Sequence, residues 1–260
     1  IDFVEVANAA VTLTGGAGDD SVTLDNAASY VVDMGAGADE VTVGASLGAA
    51  ASVTGGEGED TLIVGDSAHV DTAVEADKFS SFEIYRAVDD NADAENYNLA
   101  LFSSVTKVEV GAVNDASDDV TLTDMSAAQA SNIHVIGDNA GLLKVDLKTD
   151  SGTEDSATIT IGSGLKKEEA FDIGEGITFN GIETLNLHAL PGVSVTAAAD
   201  KVVEIASFTS DVGTKINLTG TEFTLSNIAT TKAVTIDGSK LTEGLTVDGQ
   251  AVAKSTIIGS

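Results

Sequence analysis

The chain has 260 residues, with 42 Asp and Glu against 12 Lys and Arg, for a formal net charge of -30 at pH 7. That balance excludes nucleic acid and anionic membrane surfaces as partners, since both need a basic footprint, and it favours divalent cations. Apolar residues make up 43% and aromatics only 4%, which excludes wholesale disorder and suits thin stacked sheets, while the absence of Cys removes disulfides, thiolate zinc sites and Cys nucleophiles together.

Residues 1 to 77 carry 15 Asp and Glu and no Lys or Arg, a run that repels itself unless cations bind or the charge is solvated. No apolar run reaches the length of a membrane span, and no signal peptide is present, so membrane insertion is not expected. The opening Ile1-Asp2-Phe3-Val4-Glu5-Val6 is already strand-like and lacks an initiator Met, as expected of a piece of a longer protein.

Alternation of apolar and polar residues over Ile1 to Leu13 predicts a half-buried strand leading into Gly15-Gly16-Ala17-Gly18-Asp19-Asp20-Ser21-Val22-Thr23. This stretch returns at Met34 to Thr42, with Gly35, Gly37 and Asp39, and at Gly55 to Ile63, with Gly55, Gly56, Gly58 and Asp60. The three aspartates are 19 and 21 residues apart, and each is followed two residues later by an apolar residue: Val22, Val41 or Leu62. Second strands at Tyr30 to Val32 and Ala51 to Val53 complete a coil of turn, strand, turn, strand. Such a coil buries nothing alone. Stacked at about 4.8 Å it gains a continuous core and aligns the aspartates on one edge, where carboxylates and backbone carbonyls of adjacent turns can surround calcium. The candidate metal residues are therefore Gly15, Gly16, Gly18, Asp20, Gly35, Gly37, Asp39, Gly55, Gly56, Gly58 and Asp60, with calcium shared between Asp20 and Asp39 and between Asp39 and Asp60.

Beyond Glu75 the glycine turn stops, yet strand-sized runs continue, among them Phe82 to Tyr85, Val105 to Val110, Val120 to Leu122, Ile133 to Ile136, Leu143 to Leu147, Ala157 to Ile161 and Ile182 to Leu187. They become denser after Phe179, from Ile182 to Ile258. Helix is expected only at Asp124 to Ser131 and Leu165 to Phe171, and a turn at Pro191. The fold class is all-β: right-handed parallel β-roll or β-solenoid coils, followed by a β-rich solenoid or sandwich-like body. Three segments follow: calcium-binding coils over 1–74, a β-rich body with short helical turns over 75–178, and a solenoid-like segment over 179–260.

Other candidate chemistry is weak. Asp77 precedes Phe79 as the column aspartates precede their apolar partners, but its turn has no glycine. Asp89 to Glu95 alternates oxygen side chains as an EF-hand loop does, without the glycine and glutamate that loop needs, and Asn114 to Asp119 and Asp150 to Asp155 read as solvated acidic loops. Gly44-Ala45-Ser46-Leu47-Gly48 fits a nucleophile elbow in letters only, because a strand and not a helix is expected after it. His69, His134 and His188 are scattered, with no zinc spacing. No enzyme activity is expected.

The glycine turn, complete at Gly15 and Gly55 and degenerate at Met34, resembles the calcium-binding nonapeptide of repeats-in-toxin proteins over about residues 11 to 66. It departs from that family's nine-residue period, recurring about every twenty, which places calcium on one edge. Segments such as Phe79-Ser80-Ser81-Phe82-Glu83-Ile84 and Phe179-Asn180-Gly181-Ile182-Glu183-Thr184-Leu185-Asn186-Leu187 are similar to bacterial surface-layer (S-layer) proteins of the same type. That resemblance implies an extracellular, calcium-dependent lattice subunit exported by type I secretion. Its partners would be copies of itself and calcium ions, with cell-surface polysaccharide reached through regions outside this stretch. A stalk of a secreted adhesin and the calcium-binding C-terminal region of a type I secreted hydrolase are the alternatives.

Overall fold

The computed structural model describes residues 2–3, 10–25, 29–88, 94–113, 118–137, 140–149, 154–162, 171–173, 176–190, 203–205, 208–210, 214–226, 228–230, 232–248 and 255–259. Within them the chain is a parallel β-solenoid. One sheet of twelve strands runs its length, through Asp2–Phe3, Ser21–Leu24, Glu40–Val43, Thr61–Val64, Ile84–Ala87, Lys107–Val110, Ile133–Val135, Ser156–Ile161, Thr184–Ala189, Lys215–Gly220, Thr235–Leu241 and Thr256–Ile258. Every neighbouring pair in it is parallel. Of the two forms expected for the body, solenoid is the one found, and the sheet passes unbroken through positions 74 and 178.

The opposite wall changes along the axis. A five-stranded sheet that begins with Ala10–Gly16, Ser29–Gly37 and Ser52–Thr54 faces the first coils, and a six-stranded sheet from Glu95–Asn98 to Ile228–Thr230 takes over in the body. A four-stranded sheet from Phe171–Ile173 to Leu245–Asp248 adds a third wall. Coil length follows: the step is 19 residues from Val22 to Val41, 21 from Val41 to Leu62, 23 from Leu62 to Tyr85 and 31 from Leu187 to Leu218, then 20 from Ile216 to Ile236.

Alternation decides which side chains enter the coil. Val22, Val41, Leu62, Tyr85, Val108, Ile133, Ile159, Leu187 and Leu218 form one buried row, and Leu24, Val43, Val64, Ala87, Val110, Val135, Ile161 and Ala189 form the next. Where the coil widens at Tyr85, aromatic rings fill it: Tyr85 meets Tyr97 edge-on at 5.8 Å and Phe102 at 5.0 Å between centroids. The Tyr97 hydroxyl donates to the Gly65 carbonyl at 2.6 Å, so the ring is buried without an unpaired oxygen.

Helices are minor. The helix expected over Asp124 to Ser131 shortens to Ala127–Ala130, started by a Ser126 capping box with Gln129. Gln129 is buried: its amide Nε2 donates to the carbonyls of Leu99 and Phe102, and its Oε1 accepts from the backbone N–H of Ser126. A helix at Ala73–Ala76, capped by Thr72, was not expected; four residues carry no periodicity. The other expected helix, Leu165 to Phe171, lies outside the described residues except for Phe171, which begins a strand. Pro191, residues 89–93, residues 114–117 and residues 150–153 also lie outside them. No helix among the described residues is long and apolar enough to cross a membrane.

Gln129→Ala should lower stability by about 1–3 kcal/mol, because the Leu99 and Phe102 carbonyls each lose one of two donors inside the protein, keeping only the backbone N–H groups of Phe102 and Val105. Urea unfolding would register this as a lower midpoint at unchanged slope, and a midpoint equal to wild type would mean water replaces the amide.

Candidate metal centre

The parallel register that stacks Val22 on Val41 and Val41 on Leu62 also stacks the residue just before each strand, so Asp20, Asp39 and Asp60 form a column. A carboxylate oxygen of each later coil accepts the backbone N–H of the aspartate before it: Asp20 N to Asp39 Oδ1 at 2.7 Å and Asp39 N to Asp60 Oδ1 at 2.9 Å. In the other direction the carbonyls of Asp20 and Asp39 accept from the N–H groups of Glu40 and Thr61. Asp19, one residue out, reverses the carboxylate bond, accepting from Ala38 N of the later coil at 2.8 Å.

Two carboxylate oxygens are left over. Asp39 and Asp60 are wholly buried, and the Oδ2 atom of each has no hydrogen-bond partner. Burial pushes the Asp60 carboxyl above its ordinary value; the Asp39 backbone N–H pulls it back in part, while the charges of Asp39 and Glu83 push it further up. An oxygen that is buried, anionic and unpaired is costly, and a cation is the partner that removes the cost.

Glycines make the column possible by letting backbone lie on backbone. Gly16 stands in register with Gly35, and Gly37 with Gly58. A Cβ at Gly56, where φ is +113°, would stand 2.0 Å from the Gly35 carbonyl oxygen. At Gly15 the space of a missing Cβ is shared by Asp20 Oδ2 at 2.9 Å and the Met34 carbonyl oxygen at 2.1 Å, and Gly55 is matched in the same way by Asp60 Oδ2 and the Ser81 carbonyl. Each of these cradles gathers a carboxylate from its own coil and a carbonyl from the next. Met34, which breaks the glycine pattern, sends its side chain into the core.

All eleven residues expected at the site are thus brought to one corner. Among the described residues no group of three or more His, Cys, Asp or Glu gathers, so any ion there would be held by paired carboxylates with carbonyls making up the remainder. That mixture suits calcium, which takes about 6–8 oxygen ligands at about 2.3–2.6 Å and tolerates irregular geometry.

Other candidates fall elsewhere. Asp77 is exposed at the end of the Ala73–Ala76 helix, away from the column. Ser46 lies in an exposed turn, and the element after it is the strand Ser52–Thr54, without the helix a nucleophile elbow needs. Sequence reasoning missed an ionic fork on the outer face of the twelve-stranded sheet. Arg86 donates from Nη1 to Glu40 Oε1 at 2.8 Å and from Nε to Glu109 Oε2 at 2.7 Å, and Lys107 Nζ lies 2.7 Å from Glu109 Oε1. Burial drives the Glu109 carboxyl up, but hydrogen bonds from Lys107 and Arg86 and their charges outweigh it and hold the group below its ordinary value.

Comparison with protein-family models, with curated proteins and with solved structures finds no match to this chain.

Gly56→Ala should cost more than about 2 kcal/mol, from the left-handed backbone plus the collision with Gly35, whereas Gly18→Ala, whose Cβ would meet nothing within 4 Å, should be nearly neutral. Thermal melts of the two variants test the stacking; equal losses would refute it. For Glu109, the unfolded chain takes up the proton at higher pH than the folded one, so its contribution is complete above the ordinary carboxylate range and is lost as pH falls through the folded value. Glu109→Gln should therefore melt below wild type at neutral pH and approach it in acid, and a gap that stays constant with pH would exclude the ionic contribution.

Proposed function

We propose that this chain is a non-catalytic, calcium-ordered β-solenoid segment of an extracellular bacterial surface protein, a subunit of a surface-layer lattice. The observation that carries the reading is the column of Asp20, Asp39 and Asp60 with two buried, unpartnered carboxylate oxygens. In a chain of net charge -30, whose first 77 residues hold no Lys or Arg, bound cations are the available means of neutralising that corner. Calcium, at roughly millimolar levels outside cells, matches sites of modest affinity built from carbonyls and paired carboxylates.

The unbranched solenoid supports the structural role. Among the described residues its cross-section is filled by side chains from the first coils to the last, and its long outer faces are available for lateral contact between copies. Export, lattice contacts with other copies and anchoring through polysaccharide-binding regions outside this stretch complete the reading.

Calcium in hundredfold excess over its dissociation constant stabilises by about 2.7 kcal/mol per site. Adding EDTA should accordingly lower the melting temperature, and amide exchange should accelerate over residues 11 to 66 more than over 180 to 260. Exchange in the first region that ignores calcium would overturn the metal role. Full-length protein that forms no two-dimensional sheets with calcium would overturn the lattice role.

A further inference from the structure

The glycine turn ends with the third coil, but the column does not. Val53 pairs with Phe79 and Thr54 with Ser80, while Thr61 pairs with Ile84, so the fourth coil crosses the corner with only Ser81, Phe82 and Glu83 where the third uses residues 55 to 60. Two features compensate for the shortfall. Ser81 adopts φ +56°, a left-handed conformation uncommon for a residue other than glycine, and its carbonyl lies at the Gly55 cradle, 2.1 Å from where a Cβ would stand. Glu83 follows, one methylene longer than aspartate, and its Oε2 accepts the Asp60 N–H at 3.0 Å, as Asp39 and Asp60 do for the aspartates before them.

The Asp60 carbonyl returns the connection by accepting from the N–H groups of Glu83 and Ile84 at 3.1 and 3.0 Å. Phe82 is buried beneath the turn and stacks edge-on against Phe79 at 6.5 Å, which fixes the short crossing. Beside this frame lies Asp60 Oδ2, wholly buried, without a hydrogen-bond partner, and 2.7 Å from the same cradle point as the Ser81 carbonyl.

We infer that Asp60, Glu83 and the Ser81 carbonyl form a third divalent-cation site, which closes the calcium column at a serine turn carrying no glycine motif. The inference rests on the calcium reading of the column and adds to it one site and two residues. The site takes a hard cation, since its protein ligands are all oxygen: the unpaired Asp60 Oδ2, the Ser81 carbonyl and the Glu83 carboxylate. Ser81 supplies its ligand through backbone conformation alone, so its side chain is dispensable.

Calorimetric titration of the whole 260-residue chain with calcium chloride, after EDTA treatment and dialysis, tests this. Glu83→Gln keeps a hydrogen-bond acceptor for the Asp60 N–H but loses the charge, and should bind one calcium fewer than wild type or bind one at least tenfold more weakly. Glu57→Gln, at an exposed position in the third turn, should keep the wild-type count and so controls for the loss of one negative charge. Circular dichroism confirms that each variant is folded. If Glu83→Gln matches wild type in count and affinity, or if Glu57→Gln loses as much, the third site is wrong while calcium binding by the column stands. If wild type titrates no calcium at all, the calcium reading fails with it.

Discussion

In-register parallel stacking is the constraint on which everything else in this molecule depends. A strand spacing of about 4.8 Å places each residue over its counterpart in the next coil, so whatever the sequence puts at one level is multiplied along the axis. For Val22, Val41 and Leu62 the multiplication is favourable, because like apolar side chains make a continuous core. For Asp20, Asp39 and Asp60 it sets like charges on one another. The structure absorbs part of that conflict by turning one oxygen of each later aspartate onto a backbone N–H, and leaves the Oδ2 atoms of Asp39 and Asp60 buried without a hydrogen-bond partner. Core packing and the crowding of carboxylates are thus two aspects of one geometric rule.

The opposite solution appears on the outer face of the same sheet. There Arg86 and Lys107 stand against Glu40 and Glu109, so the acidic surface is balanced by covalently supplied cations. Lysine and arginine enter the sequence only after the third glycine turn. Side-chain cations are thus available to balance the carboxylates of the body, whereas the first three glycine turns have none in their own sequence.

The glycine turn made the first coils legible, because Gly15 to Asp20 fixes both a backbone shape and a ligand position within six residues. Strand positions in the body were also legible from alternation: the runs at Ile133 to Ile136 and Ala157 to Ile161 fall on Ile133–Val135 and Ser156–Ile161. What alternation could not convey was the pairing. With steps growing from 19 to 31 residues there is no fixed period to detect, and a solenoid and a sandwich offer the same local pattern. Glu83 escaped for a related reason. The register that aligns it with Asp60 skips three positions of the turn, and spacing alone pointed to Asp77, which the Ala73–Ala76 helix carries away from the column.

Arg86, the single arginine, bridges coils that are not neighbours: its partner Glu40 lies two coils before it and Glu109 one coil after. A solenoid pulled along its axis is loaded like a zipper, one interface at a time, and nearest-neighbour contacts let each coil peel away independently. A side chain that reaches past the adjacent coil removes that independence, since the coil carrying Thr61 to Val64 cannot part from either side without straining the fork. Force arriving from one end is then shared over four coils before any one yields. Under such a load, that is the difference between unravelling and breaking as a unit.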